Sequence, residues 1–307
     1  MRVQQATREG FLYGLGAYIW WGLVPLYFIW LGRYPPYDFV AHRIVWTAVF
    51  LALILTVTRR WPETIRCLTT PKLILPLFVS AILVAGNWLC YVLCVENKVI
   101  VQASLGYFIL PLVNVVLGML VLGERLRPLQ FVAIAIALVG VSLLTWGYGE
   151  FPWLAMALAV SFGFYGLIRK QVPVDGLTGL SVETIVLLPL TLIYLAFEYA
   201  ARQEIEVPML LFKLSLSGVV TAVPLLCFGQ AARRLPFTTL GFMQYISPSL
   251  QFLLALWLFE ETVKDWTGYV SVWAALAVFS LDSLLWYGGR DRVASSGDVE
   301  PRELAEA

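Results

Sequence analysis

Residues 102–126 read Gln-Ala-Ser-Leu-Gly-Tyr-Phe-Ile-Leu-Pro-Leu-Val-Asn-Val-Val-Leu-Gly-Met-Leu-Val-Leu-Gly-Glu-Arg-Leu, and this stretch decides the fold. It is apolar on every helical face, carries Pro111 in its interior and stops at Gly123-Glu124-Arg125. At 1.5 Å rise per residue, roughly 20 such residues cover the roughly 30 Å hydrocarbon core of a bilayer. A soluble helix would show a polar face every 3.6 residues, and this one does not. The chain writes the pattern twice. Residues 238–263, TTLGFMQYISPSLQFLLALWLFEETV, again carry Leu-Gly near the start and an interior proline. Pro111 precedes Glu124 by 13 positions, and Pro248 precedes Glu261 by 13. The echo points to a duplicated membrane protein.

Composition agrees. The chain has 307 residues, 60% hydrophobic and 13% charged, with mean hydropathy +0.80. A soluble domain would carry about twice that charged fraction. Net charge is +1, so no bulk field argues for nucleic acid. Cys90 and Cys94 are one helical turn apart, but no histidine lies nearby, and the four cysteines read as small buried hydrophobes. The first apolar segment reads as a retained span, because it is long and many similar segments follow.

Ten spans emerge, at roughly 11–31, 38–57, 73–95, 100–122, 129–147, 152–168, 178–197, 211–232, 238–259 and 266–287. The breaks hold most of the charge and the turn chemistry, as in Arg33-Tyr34-Pro35-Pro36 and Arg233-Arg234-Leu235-Pro236. Lys and Arg fall about three to one on the side of the N-terminus, which predicts both termini in the cytoplasm. The predicted fold class is an all-α membrane protein with ten transmembrane helices as two inverted five-helix repeats. Residues 1–147 form the first, residues 148–289 the second, and residues 290–307 a disordered cytoplasmic tail. An odd number of spans per half turns the second half upside down relative to the first, the arrangement for alternating access around a midplane site.

Polar groups inside spans mark the candidate site, since leaving them in hydrocarbon costs several kcal/mol. His42 and Arg43 form the leading pair: a fixed cation beside the chain's one histidine. The alternative for Arg43 is an outward reach to Asp38. Asn87 and Trp88, Tyr107 and Asn114, and Gln244 and Tyr245 supply amides and rings that could line a cavity or simply tie helices together. Trp20 and Trp21 complete the aromatic wall. His42, Glu183 and Asp282 are the candidates for proton coupling, although an ion pair would equally explain the two acids. Glu124 and Glu261 read as caps. Pro111 and Pro248 are candidate hinges. Walker A, G-x-G-x-x-G, G-x-S-x-G and H-E-x-x-H patterns do not occur, so neither an ATPase nor a hydrolase is expected.

Several segments together resemble a known family. They are AYIWWGLVPLYF at 17–28, Ala41-His42-Arg43-Ile44-Val45-Trp46, Gly86-Asn87-Trp88, residues 103–108 through Gly123-Glu124-Arg125, Phe164-Tyr165-Gly166-Leu167-Ile168-Arg169-Lys170 and Pro224-Leu225-Leu226-Cys227-Phe228. They look like the RarD family, bacterial proteins named as chloramphenicol-sensitive, in the EamA branch of the drug/metabolite transporter superfamily. The resemblance implies ten helices in two inverted repeats, residence in the bacterial inner membrane and a permease role in drug or metabolite export. From the missing motifs and the single histidine, no enzyme activity and no cofactor or metal is expected. The expected partners are a small-molecule substrate, the lipid bilayer and protons. An uncoupled, channel-like facilitator is the alternative.

Overall fold

The computed structural model describes residues 2–32, 34–96, 100–148, 151–202, 208–258 and 266–296. Among them there are twelve helices and no strand. They are α1 (Arg2–Leu31), α2 (Pro36–Thr58), α3 (Trp61–Thr69), α4 (Pro71–Glu96), α5 (Ile100–Leu120), α6 (Pro128–Tyr148), α7 (Trp153–Gln171), α8 (Gly176–Arg202), α9 (Pro208–Arg234), α10 (Phe237–Met243), α11 (Ile246–Leu258) and α12 (Thr267–Ser296). Six are long and apolar enough to cross a membrane: α1, α2, α4, α6, α8 and α9. Residues Leu105–Leu120 of α5 and Thr267–Asp282 of α12 are shorter apolar helices.

Prolines set half of the helix starts. Pro36, Pro71, Pro128 and Pro208 are the first residues of their helices, and Pro152 and Pro236 stand just before theirs. Proline has no N–H to lose in the first turn, and its fixed φ suits entry. Arg59 ends α2 in the left-handed region at φ 56°, where its N–H and that of Arg60 close back onto Thr56 and Leu55 carbonyls.

Three departures from the sequence reading stand out. Helix α3 occupies a segment expected to be a simple break. Its starts and ends are polar, but Cys67 is buried against Leu77, Val172, Val174 and Val182, so tertiary packing holds this short helix. The predicted span at 238–259 is two helices, because the ladder breaks at Gln244–Tyr245. Pro248 cannot donate to Gln244, and the Ser247 N–H takes that carbonyl at 3.1 Å instead. Pro111, by contrast, lies within an uninterrupted α5. Finally, α12 runs past Gly289 to Ser296, into the segment read as a disordered tail; nothing in Arg290–Ser296 breaks a helix. Glu261 and residues 297–307 lie outside the described residues.

The chain forms two compact units. The smaller pairs α6 with α12, and the larger holds the other ten helices. In the smaller unit Gly140 lets the two helices approach closely, since a Cβ there would meet Ser271 at 2.9 Å. In the larger unit α1 packs on α9, α2 on α8 and α9, α4 on α7 and α8, and α5 on α7 and α10. Its aromatic heart is Tyr18, Trp21, Phe162, Tyr165 and Phe228, with ring centroids 5.3–6.5 Å apart.

Candidate functional site

The first two turns of α2 carry Asp38, His42 and Arg43. They share one end of the larger unit with the far end of α8. Asp38 accepts a bond from the Tyr194 hydroxyl at 2.8 Å, and His42 meets the Tyr199 hydroxyl at 3.0 Å beside the Tyr34 ring. His42 is buried, so the polar group expected to titrate is already partnered.

Arg43 goes the other way. Its Nε donates to Thr221 Oγ1 on α9 at 2.6 Å, and its guanidinium lies 4.3 Å from the Trp88 ring centroid on α4. The hydroxyls of Tyr27, Tyr91 and Tyr107 are within electrostatic reach. Among the described residues no carboxylate pairs with Arg43. The anticipated reach to Asp38 is therefore replaced by a hydroxyl and an aromatic face. A cation–π contact is worth about 0.5–2 kcal/mol and supplies no negative charge. Arg43 is half-buried, and its hydrogen bond to Thr221 uses Nε alone. A planar guanidinium with free N–H edges fits a carboxylate or phosphate bidentately.

The remaining candidates divide. Trp88 joins Arg43, and Tyr107 stands within electrostatic reach of it. Asn87 is buried and spends its amide on the Leu158 carbonyl at 2.8 Å and Ser161 Oγ at 3.0 Å, tying α4 to α7. Asn114 on α5 donates to Gln244 Oε1 at 3.0 Å, at the break between α10 and α11. Tyr245 is fully buried and bonds the Phe108 carbonyl at 3.3 Å. The last two ties bridge α5 and the broken helix. Trp21 lies in the aromatic heart, where its carbonyl accepts from Gln251 at 3.0 Å. Trp20 is exposed on α1 and bonds the Val220 carbonyl at 3.2 Å.

The opposite end of the larger unit is basic and tightly tied. Arg60 pairs with Asp175 at 3.0 Å, and Arg234 with Glu9 at 3.6 Å. Lys170 donates to the Ala232 and Leu235 carbonyls at 3.1 and 2.5 Å. Glu124 caps α10 by accepting from the Phe237 and Thr238 N–H groups and the Thr238 hydroxyl. Deeper lies Glu183, 1% exposed, which takes the Ser80 hydroxyl at 2.5 Å and the Tyr165 hydroxyl at 3.4 Å. Its Oε1 lies 3.6 Å from Arg169 Nη1. Arg169 is 2% exposed and fills the space left by Gly179, where a Cβ would fall 1.7 Å from Nη1. Sequence reasoning placed Arg169 in a cytoplasmic loop and missed it. The signal was available, since an acid inside a span calls for a base. Asp282 is buried in the smaller unit and pairs with Arg127 at 2.5 Å.

Asp175 caps α8 through the Leu177 and Thr178 N–H groups at 3.0 and 3.3 Å. Burial opposes its charge, but Thr178, Arg60 and the Leu177 N–H together hold it below the ordinary 3.8. A depressed carboxylate stabilises the fold above its ordinary value, and the gain is lost as pH falls through the folded value. Thermal unfolding of the wild type in detergent should therefore fall between pH 5 and pH 3 by more than that of Asp175→Asn. Equal slopes would remove Asp175 from the list of acid-sensitive ties.

Comparison with known proteins completes the picture. Residues 8–146 match the EamA-like transporter family. Protein RarD of Salmonella typhi is 43% identical over 286 residues, spanning 91% of this chain and 96% of that protein. An uncharacterized transporter of Vibrio cholerae is 44% identical over 92% of this chain and 95% of its own length. The chloramphenicol-sensitive protein RarD of Pseudomonas aeruginosa is 31% identical over 90% of this chain and 94% of its own length. A protein of known crystal structure shares the fold at TM-score 0.66 and 19% identity, covering 91% of this chain and 97% of that one. With its apolar helices and these relatives, the chain is a multi-pass membrane protein that belongs to the RarD family of EamA-like transporters, in the drug/metabolite transporter superfamily.

Proposed function

We propose that this protein is a secondary transporter of small organic anions, working by alternating access between two inverted five-helix repeats. In this reading α1, α2, α4, α5 and α6 form one repeat, and α7, α8, α9, the α10–α11 pair and α12 the other. Helix pairing supports it. Exchanging the halves turns α1 on α9 into α7 on α4, and α2 on α9 into α8 on α4. It turns α1 on α11 into α7 on α5, and leaves α2 on α8, α5 on α10 and α6 on α12 as they are. All these pairs occur. The basic end faces the cytoplasm of the bacterial inner membrane, with both termini on that side.

The observation that carries the substrate class is Arg43. A cation inside an apolar helix, paired with a hydroxyl and a ring but, among the described residues, with no acid, is balanced by the anion it carries. Trp88 and Tyr107 give that anion a flat apolar wall. His42, next to Arg43 in sequence, is the coupling residue for protons in this reading. The test is uptake of labelled aromatic carboxylates and amphenicols into liposomes, with and without a pH gradient. Accumulation against a concentration gradient, driven by pH and confined to anions, is the expected result. Equilibration without accumulation would make the protein a facilitator, and equal uptake of cations would remove Arg43 from the site.

A further inference from the structure

Two charges occupy matching places in the two halves. Arg43 is the eighth residue of α2, and Glu183 is the eighth residue of α8. Under the repeat, α2 and α8 are counterparts. Each charge also bonds a hydroxyl on the third long helix of the other half. Arg43 takes Thr221 on α9 at 2.6 Å, and Glu183 takes Ser80 on α4 at 2.5 Å. The helices run antiparallel, since Arg60 beyond the end of α2 meets Asp175 at the start of α8, while Asp38 meets Tyr194. The matched charges therefore stand at opposite ends of the larger unit.

Their surroundings differ. Arg43 is half-buried with no acid beside it among the described residues, whereas Glu183 is 1% exposed and is neutralised by Arg169. Arg169 joins three helices: it is on α7, its Nη2 donates to the Gly176 carbonyl at the head of α8, and Gly229 of α9 leaves it room. Pulling α7 from α8 would strand a buried charge, which is strongly unfavourable.

We propose that Ser80, Glu183 and Arg169 form the latch that keeps the basic end shut, the counterpart in the second repeat of the Arg43–Thr221 contact. The proposal rests on the alternating-access reading. In it, releasing the latch opens the basic end and closes the Arg43 end, so the two ends change in opposite senses.

A native thiol reports on the latch. Cys67 is 5% exposed and packs on Val182, the neighbour of Glu183, and on Val172 and Val174. Burial, with Asp175 close by, pushes its thiol up, so exposure and a lowered pKa would both speed alkylation. The experiment is peptide-resolved maleimide labelling of the full chain in nanodiscs without substrate. Cys67 reads one end, and a cysteine introduced by Tyr107→Cys reads the other. Glu183→Gln should label at Cys67 about tenfold faster, a shift in the open population of about 1.4 kcal/mol, and more slowly at position 107. Ser80→Ala, which removes one hydroxyl and keeps both charges, should move both rates the same way by about threefold and covers the case in which Glu183→Gln does not fold. Faster labelling at both ends would mean a loosened bundle and would overturn the latch, as would unchanged rates at Cys67. Anion uptake by the wild type separates the two ideas. If the anion reading is wrong, uptake shows no preference for anions while the opposed labelling changes persist; if the latch is wrong, those changes are absent whatever is transported.

Discussion

Arg43→Ala is expected to lower kcat/KM for an anionic substrate by about thirtyfold to several thousandfold, because truncating one partner of a buried charge contact costs about 2–5 kcal/mol. The folded protein should not suffer in proportion. Arginine costs roughly 2.5–3.5 kcal/mol at a membrane helix centre and less toward a helix end, where Arg43 stands, and the substitution removes that cost. Against it stand the lost bond to Thr221 and the lost contact with Trp88, about 1 and about 0.5–2 kcal/mol. The terms nearly cancel, so thermal stability in detergent should stay within about 1 kcal/mol of wild type. Arg43→Lys keeps a charge but loses the planar fork, and should fall between the two. A large loss of activity with little loss of stability is the mark of a binding cation. The reverse pattern, a destabilised protein that still transports, would make Arg43 a helix tie.

How much of this was legible in the sequence depends on which force fixes each feature. Long apolar runs fix membrane spans, so α2, α4, α6, α8 and α9 were anticipated within a few residues, and α1 in all but its polar first turns. His42 and Arg43 were visible because charge inside such a run is costly and needs a reason. Helix α3 was not visible, since its stability comes from Val172, Val174 and Val182 more than a hundred positions away. The break at Gln244–Tyr245 was hidden for a related reason: membrane helices usually absorb a proline, and only the ties to Asn114 and Phe108 hold this chain open there. Arg169 illustrates the hardest case. Positive-inside statistics put it in a loop, yet Gly179 makes room for it inside the bundle. Polarity located the candidate side chains, but only coordinates could divide Asn87, which bonds α7 backbone, from Arg43, which bonds a hydroxyl through Nε alone.

Gly218→Ala is expected to cost more stability than its size suggests, because the clash it makes is with backbone. Gly218 lies on α9 where that helix crosses α2, three residues before Thr221, and it faces Trp46, three residues after Arg43. A Cβ at 218 would fall 2.3 Å from the Trp46 carbonyl oxygen, 2.4 Å from its carbon and 2.9 Å from the Thr47 nitrogen. All three are backbone atoms of a regular helix, so no rotamer change relieves the clash. Close helix approach through small residues is a main source of membrane-helix association, and alanine here must push α9 away from α2. Overpacking of this kind costs about 1–3 kcal/mol, which Gly218→Ala should show as a lowered unfolding temperature in detergent. The same displacement draws Thr221 away from Arg43, so transport should fall as well, including for substrates that Arg43→Lys still carries. Gly86 is the control. Nothing lies within 4 Å of a Cβ there, and Gly86→Ala should be neutral or gain about 0.5–1 kcal/mol from helix propensity. If Gly218→Ala and Gly86→Ala unfold at the same temperature, the α2–α9 crossing is wider than described here, and the Arg43–Thr221 contact that depends on it goes too.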